Sequence, residues 1–149
     1  MQRTTVLLTN IRRIIKLYDS MLRPICTRYE LTAIEATIIS FLYNNPGKDT
    51  AADIAELRML SKSNISQAVE SLIQRSLLRR RQDTGDRRRI HLSLTSSAEP
   101  ITKEIELAGK SFQEQVFRGF SEKERELFVH FNDRITENIK TETERGLFQ

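Results

Sequence analysis

Seven arginines fall within one short segment of this chain: Arg75, Arg79, Arg80, Arg81, Arg87, Arg88 and Arg89. Only Asp83 and Asp86 oppose them, so residues 75–89 carry a net +5 while the whole chain of 149 residues carries +4. The basic character is one patch, and everything outside it sums to −1. Clustered guanidinium groups favour a polyanion, because neutralised phosphates release their counterions. Just upstream lies a second set of useful side chains: Ser61, Lys62, Ser63, Asn64, Ser66 and Gln67. Apart from Lys62 these are polar and uncharged, the groups that read base edges. Asn and Gln can pair with adenine, and Ser can meet donors or acceptors. Either set alone also fits a merely solvated surface. Their adjacency points to nucleic acid.

Catalysis has no comparable set. The only histidines are His91 and His130; neither has a metal-ligand partner at useful spacing, and no phosphate-cradling glycine loop or nucleophile motif occurs. No enzyme activity, metal or cofactor is expected. Cys26 is the single cysteine, which excludes an intrachain disulfide and a cysteine zinc site. Beside Ile25 near a helix end, it reads as a packing residue in preference to an oxidant sensor. No run of 18 uncharged apolar residues exists, so no membrane span is expected. The N-terminal MQRTTVLLTNIRR is interrupted by Arg12 and Arg13 and has no cleavage pattern, which makes the cytoplasm the expected compartment.

The elements that must position these residues follow from periodicity. Leu7, Ile11, Ile14, Tyr18, Met21 and Ile25 step by 4, 3, 4, 3 and 4, with Leu8, Ile15 and Leu22 beside them, predicting a helix over Thr5–Cys26. Its apolar surface is wider than one core face needs. Burial within a monomer and packing on a second subunit both fit; a one-domain chain has little to cover both sides, which favours a dimer. Glu30–Asn44 reads as a second helix with Thr32 as N-cap and Ile34, Ile38, Phe41 and Leu42 buried. Thr50 and Asp53 cap a short third helix. After a break at Arg58-Met59-Leu60, Ser61 caps a helix to Arg75 that buries Ile65, Ala68, Val69, Leu72 and Ile73. Two capped helices and a short turn make a helix-turn-helix.

Helical periodicity then stops. Leu77–Arg81 and Arg89–Leu94 read as strands around a tip, Gln82–Arg87, that has hairpin chemistry. Such a ribbon can lay Arg87 and Arg88 beside a minor groove, with Arg79, Arg80 and Arg81 near flanking phosphates and Asp86 orienting an arginine by a charge-assisted pair. The final third returns to helix. One helix starts at Ser97, keeping Pro100 in its first turn, with a stripe of Ile101, Ile105, Ala108, Phe112 and Val116. A break at Gly119-Phe120 and a capping box of Ser121 and Glu124 precede the last helix, whose stripe is Leu127 or Phe128, Phe131, Ile135 and Ile139. The expected fold is mainly α with a small β-wing. It is a single domain over 1–149, with a winged-helix lobe at 32–95 and dimerisation helices at 1–30 and 96–149. Leu7, Ile11, Ile14, Phe128 and Ile135 are the candidate dimerisation residues.

The stretch Asp53–Thr95, reading AELRMLSKSNISQAVESLIQRSLLRRR and then DTGDRRRIHLSLT, resembles the DNA-binding lobe of the MarR family of transcriptional regulators. Asp86-Arg87-Arg88 followed by Leu92-Ser93-Leu94-Thr95 is the most specific part. The resemblance implies a homodimer, built from the first and last helices, on pseudo-palindromic promoter sites in double-stranded DNA. It places the helix Ser61–Arg75 in the major groove and Arg88 in the minor groove. It also implies regulation, often by repression, with release by a small aromatic or phenolic effector bound between lobes; Arg12, Arg13 and Tyr18 are candidates only. The chain departs from the family in having Ser76 where a glycine usually precedes the first wing strand, Ser96-Ser97-Ala98 in place of a glycine-ended turn, and Pro100. Two alternatives stand beside this reading: a sequence-indifferent architectural DNA-binding protein, and a redox-sensing regulator acting through Cys26.

Overall fold

The protein is seen in a computed structural model that describes residues 2–58, 60–144 and 146. The chain divides into two compact units, one up to Phe112 and one from Gln113 onward. In the first, α1 (Arg3–Tyr29) extends beyond the expected Thr5–Cys26 at both ends and passes through Pro24. Proline's fixed φ suits a helix; what it removes is a donor to the carbonyl of Ser20, and both residues are exposed to water there. Glu30 stops the helix in the left-handed region at φ 53°, with the Leu31 N–H returning to the Cys26 carbonyl at 2.9 Å. Glu30 therefore caps α1 and does not open the second helix.

That helix, α2 (Ala33–Asn44), starts behind a complete capping box. Thr32 Oγ1 accepts from the Glu35 N–H at 3.1 Å and Glu35 Oε1 accepts from the Thr32 N–H at 2.8 Å. Glu35 is nonetheless buried, and its other oxygen accepts from Ser71 Oγ at 2.8 Å. Burial pushes this carboxyl's pKa up, but the bonds from Thr32 and Ser71 outweigh it and leave the group below the ordinary value. Thr50 and Asp53 cap α3 (Ala51–Arg58) by the expected reciprocal bonds. Ser61 caps α4 (Lys62–Gln74), accepting from the Asn64 N–H. Met59, in the turn between these helices, lies outside the described residues. Ile65, Ala68, Val69 and Leu72 of α4 enter one core with Ile38, Ile39 and Phe41 of α2, Ile54 of α3, Leu22 and Ile25 of α1, and Ile101 and Ile105 farther on.

The end of α4 decides where the strands begin. Ser76 takes φ 62°, its N–H bonds the Ile73 carbonyl, and the Leu77 N–H bonds the Leu72 carbonyl at 2.9 Å. This is a Schellman ending with Leu77 buried against the helix it closes. Leu77 is thus committed to the helix, and β1 is Leu78–Gln82, one residue later than the expected Leu77–Arg81. It pairs antiparallel with β2 (Ile90–Leu94), Leu78 facing Leu94, Arg80 facing Leu92 and Gln82 facing Ile90. Leu92 is buried, Leu94 half-buried and Ile90 exposed, because the ribbon projects beyond the core. A 3-10 turn (Ser96–Ala98) precedes α5 (Glu99–Val116). The helix therefore starts after Ser97, and Pro100 is its second residue, where no N–H is needed.

Within the second unit Gly119, at φ 81°, turns the chain into α6 (Glu122–Glu144). The Ser121–Glu124 capping box is present, with bonds of 2.8 and 3.1 Å. Phe117 stacks edge-on with Phe120 and Phe128, and the Arg125 guanidinium sits 5.2 Å over its ring. The outer stripe of α6 is bare: Leu127, Phe128, Phe131 and Ile135 are 44–50% exposed. No helix among the described residues is long and apolar enough to cross a membrane.

Ser76 occupies a backbone conformation that glycine adopts without a Cβ clash. Ser76→Gly is expected to raise the free energy of unfolding by about 1 kcal/mol. Urea denaturation at fixed protein concentration checks this.

Candidate nucleic-acid interface

Because Ile65, Ala68, Val69 and Leu72 are held in the core, the opposite face of α4 is presented outward by helical geometry. Ser61, Lys62, Ser63, Asn64, Ser66 and Gln67 are all exposed. Glu70 lies one turn farther along and is ion-paired with Arg80 of β1. The acid nearest the exposed polar face of α4 is thus paired from the wing.

The arginines of the patch do not act alike. Arg75 turns back, donating from its two terminal nitrogens to the carbonyls of Glu30 (2.9 Å) and Tyr29 (2.6 Å) at the end of α1. The strand register puts Arg80 on the face of Leu78 and Leu92, while Arg79 and Arg81 share the other face with Ser93 and His91. Arg87 and Arg88 are exposed at the tip, in no ion pair among the described residues. Among the described residues Asp86 is in no ion pair, whereas the sequence pointed to a charge-assisted pair with an arginine. Its Oδ1 accepts from the backbone N–H of Arg88 at 3.0 Å, so it positions that residue through the main chain.

Asp83 organises the rest of the tip. Its Oδ2 accepts from the N–H groups of Gly85 and Asp86, both at 2.9 Å. Its Oδ1 is 2.6 Å from His91 Nε2, and His91 Nδ1 is 2.7 Å from Asp49 Oδ1 in the α2–α3 loop. The same loop accepts from the Leu92 N–H through the Asp49 carbonyl at 2.8 Å. The bond to His91, with the two backbone N–H groups, pulls the Asp83 pKa down to about 2. Reciprocally, the bonds to Asp83 and then Asp49 raise that of His91 against a smaller effect of burial. Sequence reading missed this arrangement: Asp49 and His91 are 42 residues apart, and no local periodicity relates them.

The other candidates sit elsewhere. Leu7 and Ile11 are exposed on α1 and Ile14 is half-buried; Phe128 and Ile135 are exposed on α6. Burial pushes the Cys26 thiol above its ordinary pKa, and Sγ lies 3.9 Å from the Thr32 carbonyl, the opposite of an activated thiolate. Tyr18 bonds Ser40 Oγ at 2.8 Å and meets the Phe112 ring edge-on at 5.2 Å, while Arg12 and Arg13 face water.

Residues 29–89 match the sequence model of the MarR family. In fold the chain is similar to a MarR-family transcriptional regulator from Silicibacter pomeroyi, with a TM-score of 0.74 and 21% identity over 87% of this chain and 86% of that one. It is similar to the MepR protein of S. aureus, solved in complex with DNA, with a TM-score of 0.68 and 17% identity over 93% and 98%. BpsR of Bordetella bronchiseptica, whose DNA binding is regulated by 6-hydroxynicotinic acid, gives 0.64 and 20% over 91% and 99%.

The geometry separates Arg75, bonded to the end of α1, from the arginines exposed on the wing. Arg75→Ala is expected to lower the unfolding free energy by about 1–2 kcal/mol, since it leaves two helix-end carbonyls without their charged donor. Arg79→Ala and Arg87→Ala should stay within about 0.5 kcal/mol of the parent. Chemical denaturation of the three variants side by side distinguishes the classes.

Proposed function

We propose that this chain, whose residues 29–89 match the sequence model of the MarR family, is a winged-helix transcriptional regulator of that family and acts as a homodimer on pseudo-palindromic promoter sites, as a cytoplasmic repressor. The observation that carries the reading is the pairing of an exposed, polar α4 face with a wing whose tip exposes Arg87 and Arg88, neither of them in an ion pair among the described residues. In this proposal α4 enters the major groove, and Ser63, Asn64 and Gln67 meet base edges. Ser61, Lys62 and Ser66 flank them and reach toward phosphate. Arg88 enters the minor groove, where narrow width concentrates negative potential. Arg79, Arg81 and Arg87 line phosphates, and Arg80 is reserved for Glu70. The S. aureus relative, solved in complex with DNA, supports DNA as the partner.

Dimerisation is supported by apolar surface that each unit leaves uncovered. On α1, Val6, Leu7, Leu8, Ile11 and Ile15 are 44–55% exposed; α6 exposes Phe128, Val129, Phe131 and Ile135 to a similar degree. Such contiguous apolar stripes mark association surfaces. The Bordetella relative supports an extension, that a small aromatic acid controls release of DNA. The architectural alternative is disfavoured by the uncharged reading face, since indifferent binders rely on lysine and arginine. The redox alternative is disfavoured by the raised pKa of Cys26.

Selection of bound fragments from genomic DNA should return sites with half-sites about 10 base pairs apart. On such a site Gln67→Ala is expected to relax base preference by about 1–3 kcal/mol at one position per half-site. Arg88→Ala should weaken binding on every sequence and make the salt slope shallower by about 1 for each wing. If both variants bound as the parent does on every duplex tried, the reading would fail. Ile135→Asp should convert the dimer to monomer in analytical ultracentrifugation and abolish high-affinity binding with it.

A further inference from the structure

His91 is the one side chain whose two ring nitrogens both face carboxylates, Nδ1 to Asp49 at 2.7 Å and Nε2 to Asp83 at 2.6 Å. A neutral imidazole donates from one nitrogen and carries a lone pair on the other. In this setting that lone pair would point at an anionic oxygen. Only the imidazolium, a donor at both ends, satisfies the geometry. Asp83 is also the residue whose second oxygen gathers the N–H groups of Gly85 and Asp86, and Asp86 in turn bonds the N–H of Arg88. A continuous chain of hydrogen bonds thus runs from the α2–α3 loop, through His91, to the backbone of the residue offered to the minor groove.

We propose that His91 is a positioning residue for the wing, clamping it to the α2–α3 loop only while both ring nitrogens are protonated, so that DNA affinity falls as pH rises. This rests on the reading that the wing contacts DNA. The groups facing the ring are Asp49 from the loop, Asp83 from the wing and Arg81, opposite His91 in the strand register. Asp53 of α3 is turned to its own cap at Thr50, and Glu70 of α4 to Arg80. Two carboxylates therefore outweigh one guanidinium at the ring. The sign follows: a histidine held in its charged form keeps its contribution at low pH and loses it as pH climbs through the folded-state pKa. Asp83, ionised down to about pH 2, does not set the profile near neutrality. On losing a proton the ring releases one carboxylate, and the tip hydrogen bonds lose their anchor.

The test uses the full chain with ring-15N histidine and a labelled duplex of about 30 base pairs recovered by selection on the protein, long enough for two half-sites. NMR across pH 5.5–9.5 reads the ring, and fluorescence anisotropy at constant ionic strength reads affinity. His91 should hold both ring protons to a higher pH than a histidine in an unfolded peptide does. Affinity should fall with rising pH as the ring loses its second proton, with a limiting slope of about tenfold per pH unit for each proton. His91→Gln, neutral at every pH, should flatten the profile near the high-pH value, whereas His130→Gln should retain the parent's slope. A ring that loses its second proton no later than a histidine in an unfolded peptide, seen in the parent without any substitution, overturns the clamp. A His91→Gln profile that follows the parent overturns the coupling. Arg88→Ala separates the two readings. If it weakens binding while the parent's profile is flat, only the coupling fails; if it changes nothing, the wing's DNA contact fails and the coupling falls with it.

Discussion

Burial of Ile65, Ala68, Val69 and Leu72 beneath α2 and α3 is the constraint on which the rest of this structure depends. These four residues lock the rotation of α4 about its own axis. Each fully buried aliphatic side chain contributes on the order of 1.5–3 kcal/mol, so a rotation by one residue would expose an isoleucine and bury a glutamine at once. With the apolar side held, Ser63, Asn64 and Gln67 have nowhere to face but outward. The outward polar face of α4 is therefore a by-product of core packing. Glu35 reinforces the arrangement from inside, joining the start of α2 to Ser71 on α4.

The wing is attached to that core by ties of unequal strength. Leu78 and Leu92 are buried at its root, and the Schellman ending of α4 sets the point from which β1 departs. The Glu70–Arg80 pair is half-exposed on both sides, and pairs of that kind contribute little once solvent screens them. The Asp49–His91–Asp83 arrangement is more sheltered and joins three separate pieces of chain. It is the tie nearest the tip, and the one whose strength depends on a proton. A hairpin anchored firmly at its root and conditionally near its tip can hold register while its end remains adjustable.

The apolar stripes on α1 and α6 have a different character. They are amphipathic by sequence yet bare in each unit, and a surface of that kind is costly to leave in water. In the proposed dimer a two-fold protein would match two-fold DNA sites, and the same residues that would destabilise a lone chain would supply the drive to pair.

Local features were decided by sequence alone. Capping residues at Thr32, Thr50, Ser61 and Ser121, the stripe of α4 and the turn chemistry of the wing tip act over a few residues, so periodicity and side-chain type suffice to place them. The resemblance carried by Asp86-Arg87-Arg88 and the strand after it is of the same kind. Element ends were less legible. Glu30, Leu77 and Ser97 each sit where two conformations compete, and a backbone hydrogen bond made in the folded chain selects the winner. The roles of individual charges lay beyond sequence. Seven arginines look equivalent in the sequence, but Arg75 is spent on α1 and Arg80 on Glu70, while Arg87 and Arg88 stay exposed at the wing tip. His91 looked like an idle strand residue until folding set two carboxylates against its ring. A hydrogen bond or ion pair depends on distances of a few ångströms between residues far apart in the chain, and only tertiary packing determines those.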